Sequence, residues 1–319
     1  MITADYRSPV DIPLSQFTKL KLPYEAPFHP DLPSLEDIEK GMEENFINES
    51  SGTSPEAEDM IFLKQHSQVR VPDVYAILEF SNSDRVYYHL IMEFVEGEEL
   101  DFNMWKTMGD DARDKMCERI AEQFNFLRSI PSQGYYGRVY NQGWAPDIML
   151  CRTRYKELCG PYKTYEEFIS ALNATLELQI CIGNDSVKIE RKTRRLMDKV
   201  VPTLAAAKDR EPVFTHVDPA LRNMIIRPLE GTMATAKDYE VTLIDWADCG
   251  WLPAWVQMVA FDKRLMLPDI DSLRKGNDWV DREPHEQLKA KITRGLGNPG
   301  EKERKFFVDF GRQTYHHLF

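Results

Sequence analysis

Apolar positions recur along this chain with two kinds of spacing. Ala112, Met116, Ile120, Phe124 and Leu127 are three or four residues apart, which places them on one stripe of a helix over 111–130. Phe168, Leu172, Leu176 and Ile180 repeat the pattern behind Thr164-Tyr165-Glu166-Glu167, a capping box that predicts a second helix start. Leu196, Val200 and Leu204 predict another helix over 186–207. Ser54-Pro55-Glu56 is also a helix start. Its serine can cap, its proline needs no N–H in the first turn, and its acids sit at the positive end of the dipole. That helix is expected to run to Gln65 and to bury Met60, Ile61 and Leu63.

Strand texture occupies other stretches. Runs at 74–80 and 86–94 are rich in β-branched and aromatic residues, and the polar segment between them predicts a hairpin. Short strands are expected at 213–215, 224–226 and 241–244, with a loop over 228–240. Residues 1–33 hold six prolines and little periodicity, so they read as an extended arm over the surface. The organisation predicted is α+β. A small mixed part spans 34–95, and a mostly helical part spans 96–319 with a hairpin at 213–246.

Charge narrows the function. There are 40 Lys and Arg against 52 Asp and Glu, a net charge of -12. A diffuse acidic excess argues against nucleic-acid or anionic-membrane partners, because both require a cationic footprint. No apolar run approaches the roughly 18–20 residues of a membrane span, and the N-terminus has no signal-peptide pattern. Five cysteines without CxxC spacing point to a reducing compartment, so a cytoplasmic protein is expected.

The candidate chemistry lies between His216 and Asp245. If strands 224–226 and 241–244 pair, Asn223 before the first and Asp245 after the second come side by side. Asp218 stands five residues before Asn223 in a loop containing Pro219. Asn223 and Asp245 are oxygen donors suited to Mg²⁺. Asp218 is left to accept a proton from a substrate hydroxyl, the division of labour that phosphoryl transfer uses.

His216-Val217-Asp218-Pro219-Ala220-Leu221-Arg222-Asn223, followed by Leu243-Ile244-Asp245-Trp246 and then Gly250-Trp251-Leu252-Pro253, resembles the HxDxxxxN and IDWxxxGxxP motifs of the aminoglycoside phosphotransferase family, in particular its fungal branch. Ile91-Met92-Glu93-Phe94-Val95-Glu96-Gly97 is similar to that family's hinge, and the likeness extends over about 33–260. The resemblance implies a protein-kinase-like fold of two lobes with a shortened N-lobe, binding ATP and Mg²⁺ and acting on a small molecule. It implies Asp218 as base, Asn223 and Asp245 as metal ligands, and His216 as a brace of the catalytic loop. The backbone of Glu93, Phe94 and Val95 would meet adenine, and Glu56 would pair with a phosphate-anchoring lysine. The sequence departs from the family at that lysine: Glu44-Asn45-Phe46-Ile47-Asn48-Glu49-Ser50 contains none, and no glycine-rich loop precedes it. Lys19, Lys21 and Lys40 are the substitutes available, and a solvated helix-start acid is the other reading of Glu56. A catalytically impaired or repurposed kinase-like protein is therefore the alternative to an active phosphotransferase. Glu96, Glu98, Glu99 and Asp101 could draw a cationic substrate or simply form a solvated loop. Asp278, Asp281 and Glu283 fall where family members place substrate contacts.

Overall fold

The computed structural model describes residues 18–34, 36–37, 40, 53–81, 86–144, 155–183, 189–265, 282–297 and 299–314. The segment in which the anchoring lysine is sought lies outside them, as do Asp278, Asp281 and the side chain of Glu283. The chain is α+β, as its pattern predicts.

Strand β1 (Tyr24–Glu25), helix α1 (Thr53–His66) and strands β2 (Val74–Ser81) and β3 (Val86–Met92) come first. Helices α2 (Phe102–Thr107), α3 (Asp110–Arg128), α4 (Tyr165–Gly183), α5 (Arg191–Met197) and α6 (Val200–Ala205) follow. Next are β4 (Pro212–His216), β5 (Met224–Pro228), β6 (Tyr239–Leu243) and β7 (Cys249–Pro253). Helices α7 (Val256–Arg264), α8 (Arg282–Thr293) and α9 (Glu301–Thr314) end the described chain.

Most local signals are realised, but α1 begins at Thr53, ahead of the expected Ser54 cap, and it buries Phe62 with Met60 and Leu63 while Ile61 is only half-buried. All five residues of the α3 stripe are buried. At α4, Thr164 Oγ1 accepts the Glu167 N–H at 3.1 Å, and Glu167 Oε2 accepts the Thr164 N–H at 3.4 Å. That exchange satisfies two amides that a helix start otherwise leaves unpaired. The hairpin forms too, with Ile77 opposite Leu90 and Glu79 opposite Tyr88.

Three expectations change. The helix expected over 186–207 is two helices, α5 and α6, with a turn at Asp198–Lys199. Pro202 explains the break, because it has no N–H to offer the carbonyl of residue 198 and its ring crowds that carbonyl. Part of the proline-rich arm is structured: β1 pairs antiparallel with β2, Tyr24 opposite Ile77. Strand β7, which the sequence pattern did not suggest, pairs along its whole length with β4, from Pro212 opposite Pro253 to His216 opposite Cys249. All five of its residues are buried, so it shows none of the alternation that marks a half-exposed strand.

One apolar cluster runs from Ala57, Met60 and Leu63 on α1 through the α3 stripe to Met224, Leu243 and Trp246. The expected boundary at 95/96 does not interrupt it. A second cluster gathers α4, α6, α7 and α9 around Trp255, Val259 and Phe307. Trp246, Trp251 and Trp255 are fully buried packing residues. The cysteines among the described residues are free thiols, and no described helix is long and apolar enough to cross a membrane.

Candidate active site

Pairing of β5 with β6 sets Met224 opposite Leu243 and closes a loop whose two ends carry the candidate residues. The Ile244 N–H donates to the Asn223 carbonyl at 3.0 Å, so the chain leaves both strands in register. Asn223 Nδ2 then donates to the Asp218 carbonyl at 2.9 Å and approaches Asp245 Oδ2 at 3.3 Å. One amide therefore spans the loop that holds Asp218 and the strand end that holds Asp245. Asp245 adopts φ 63, a left-handed backbone that aspartate tolerates better than most residues and that is often stored at functional sites.

His216 ends β4 and is buried. Its backbone is held on both sides by Gln257, which accepts the His216 N–H at 3.1 Å and donates to its carbonyl at 2.9 Å. The imidazole packs edge-on against Trp246 with ring centres 4.7 Å apart, and its Nε2 lies 3.1 Å from the Ile244 carbonyl. A carbonyl can only accept, so Nε2 carries the proton. Burial lowers the His216 pKa, which keeps the ring neutral. His216 thus links the start of the Asp218 loop to the residue before Asp245.

Glu56 joins them from α1. It is half-buried and not free in solvent: its Oε1 accepts the Trp246 N–H at 3.1 Å. Burial, and then repulsion from Asp245, raise its pKa to about 7. A lysine between the two carboxylates would have the opposite effect. Of the three lysines considered as substitutes, Lys19 is already engaged: its Nζ donates to the Tyr140 carbonyl and its backbone N–H to Glu58 Oε1 at 2.7 Å.

Glu93, Phe94 and Val95 follow β3. The Glu93 N–H donates to the Asp73 carbonyl at 2.8 Å. Its carboxylate receives both terminal nitrogens of Arg70, one at 2.9 Å, and this pairing holds its pKa low. The Arg70 carbonyl in turn accepts the Leu243 N–H at 3.1 Å, two residues before Asp245. Arg70 therefore ties this segment to the β5–β6 hairpin. Phe94 is 88% exposed. Farther on, Glu98 and Ile226 exchange N–H···O bonds of 2.9 and 3.0 Å, which lace the segment to β5. Glu96, Glu98 and Glu99 are exposed, whereas Asp101 caps α2 by accepting the Met104 N–H at 2.7 Å.

The sequence reading missed two cations on Asp218. Arg222 Nη2 donates to Asp218 Oδ2, and Arg264 Nε stands 3.7 Å from Oδ1. Arg222 lies inside the motif, four residues after Asp218, and could have been singled out there. Arg264 ends α7, and nothing in its local sequence connects it to the loop.

Residues 49–259 match the model of the phosphotransferase enzyme family. No curated protein matches the sequence. Among solved structures the chain is similar to the ADP-bound aminoglycoside phosphotransferase APH(2'')-Ib, at 14% identity over 83% of this chain and 75% of that one, TM-score 0.48. It is also similar to APH(2'')-IIa in its ternary complex with streptomycin and ATP, at 15% identity over 90% and 92%, TM-score 0.48. A thermostable mutant of APH(4)-Ia with ADP and hygromycin B matches at 13% identity over 81% and 74%, TM-score 0.47.

Proposed function

The chain belongs to the phosphotransferase enzyme family, and on that premise we propose that it moves the γ-phosphoryl group of ATP to a hydroxyl of a small molecule. The observation that carries this reading is the convergence of Asp218, Asn223 and Asp245 through a single side-chain amide. This supports reading Asp218 as the base and Asn223 with Asp245 as a separate pair of metal ligands.

The donor set fits a hard divalent cation. Asp245 and Asn223 would hold Mg²⁺, and the mutual repulsion of Glu56 and Asp245 marks this corner as short of positive charge. Among the described residues no group of three or more His, Cys, Asp or Glu could hold a metal unaided. Two protein ligands leave coordination positions that phosphate oxygens and water would fill. When bound, Mg²⁺ supplies neutralisation of charge on the transferring phosphate.

The chain's own residues do the rest. Asp218 accepts the proton of the attacking hydroxyl and so raises its nucleophilicity. Asn223 fixes the Asp218 loop by its bond to the Asp218 carbonyl. His216, as a neutral donor to the Ile244 carbonyl, sets the distance between base and metal side. The backbone of Glu93 to Val95 forms the adenine edge, with the lobe boundary at 95/96.

A second reading is favoured by one observation. Glu56 Oε1 accepts the Trp246 N–H at 3.1 Å, a partner that holds the acid in place with no lysine. Such a site could bind nucleotide with impaired chemistry. Release of ADP from ATP and Mg²⁺, measured across a panel of hydroxylated acceptors, separates the two. Acceptor-dependent ADP release that Asp218→Asn abolishes supports phosphoryl transfer. ATP binding without ADP release from any acceptor supports the impaired binder.

A further inference from the structure

Asp218 is 4% exposed. Its Oδ1 is buried and accepts no hydrogen bond, with Arg264 Nε 3.7 Å away. Its Oδ2 is taken by Arg222. A substrate hydroxyl must come within hydrogen-bond reach of one of these two oxygens to lose its proton. Oδ1 lies behind protein, and Arg222 stands on Oδ2. The Arg222 side chain is 56% exposed, so it can swing away without disturbing the core.

We propose that Arg222 is an anion-operated gate on Asp218. An anionic oxygen group entering the site takes over the guanidinium, and Oδ2 is released to the hydroxyl. The ligand class is a phosphoryl or carboxylate group, whose oxygens match the donor fork of an arginine. Arg264 adds a second positive charge on the same carboxylate, so the surroundings of the base favour an acidic or phosphorylated partner over a polycationic one. This holds even though the chain as a whole carries a net charge of -12. The anion has two possible sources, the γ-phosphate of ATP or an acid group borne by the acceptor. The catalytic consequence rests on the phosphotransferase reading of Asp218, but anion binding by Arg222 does not.

Calorimetric titration of the full chain tests it, with inorganic phosphate, glycerol 3-phosphate, ADP and ATP as probes and Mg²⁺ present. Arg222→Met should weaken phosphate binding about tenfold or more, the loss expected for a charged hydrogen bond. Asp218→Asn removes the competing carboxylate and should tighten it. A loss confined to ATP and absent for ADP identifies the γ-phosphate as the gating anion. A loss confined to glycerol 3-phosphate identifies the acceptor. Affinities for all four probes unchanged in both variants, or a wild type that binds none of the four, overturn the gate. If no acceptor supports ADP release, the phosphotransfer reading falls, while these affinity ratios still decide the gate.

Discussion

The Glu56 carboxylate accepts the backbone N–H of Trp246 at 3.1 Å across 190 residues of sequence, which ties α1 to the residue after Asp245. This contact has a pH signature. The Glu56 pKa is about 7 in the fold against an ordinary 4.5. Between those values the folded protein holds a proton that the unfolded chain has released. Its contribution to stability is therefore full below about pH 4.5 and lost as the pH rises through about 7. The difference is worth at most about 3 kcal/mol. In metal-free buffer, urea midpoints should fall from pH 5 to pH 8 in the wild type and fall less in Glu56→Gln. Equal slopes in the two proteins would contradict the assignment.

A second prediction concerns the base of α1. Arg138 is fully buried; its Nε donates to Asp59 Oδ2 at 2.9 Å, and its Nη2 donates to the Pro55 carbonyl at 2.6 Å and approaches Glu58 Oε2 at 3.3 Å. Even with this cation, burial raises the Asp59 pKa to about 6. Arg138→Met strands two buried carboxylates and should cost roughly 3–5 kcal/mol in urea unfolding. Adding Asp59→Asn and Glu58→Gln should recover part of that loss. A single variant as stable as wild type would mean the ion pairs contribute little to the position of α1.

The segment after β3 supplies a third. Gly97 has φ +144, and a Cβ there would lie 2.6 Å from Ile225 Cγ2 and 2.8 Å from the Ile226 carbonyl oxygen. Gly97→Ala must push the segment away from β5 and break the paired bonds of Glu98 with Ile226. It should destabilise by about 1–3 kcal/mol and weaken ATP binding. Gly295→Ala, whose Cβ would meet only Asn125 Nδ2 at 3.7 Å, serves as the control and should be nearly neutral. Similar effects from the two variants would show that the Gly97 contact does not fix the segment.

What could be read in advance was local. The α3 stripe and the Thr164–Glu167 capping box depend on neighbours three or four residues apart, and both appear as expected. Asp218, Asn223 and Asp245 were legible because their order along the chain already implies a closed hairpin. Other parts depend on partners far away. Strand β7 is buried on both faces and carries a glycine and a proline, so its only cue was its motif. Arg264 reaches Asp218 from the end of a helix 46 residues later in sequence. Arg70 bonds Glu93 from across the β2–β3 hairpin. Arg138 meets α1 from about 80 residues away. Long-range charge pairing of this kind leaves no periodic trace. Pro202 is the reverse case, a local signal strong enough to split a helix that the apolar spacing alone would have continued.

Asp245 and Asn223 would hold a metal that brings ATP into this site. A thermal-shift titration of the full chain with ATP, with and without Mg²⁺, beside Asp245→Ala, tests this. A ligand that binds only the folded state stabilises it by RT ln(1 + [L]/Kd). The expected result is a Mg²⁺-dependent rise of the midpoint in the wild type that disappears in Asp245→Ala. No rise at millimolar ATP, or a rise that persists with the same Mg²⁺ dependence in the variant, would contradict it.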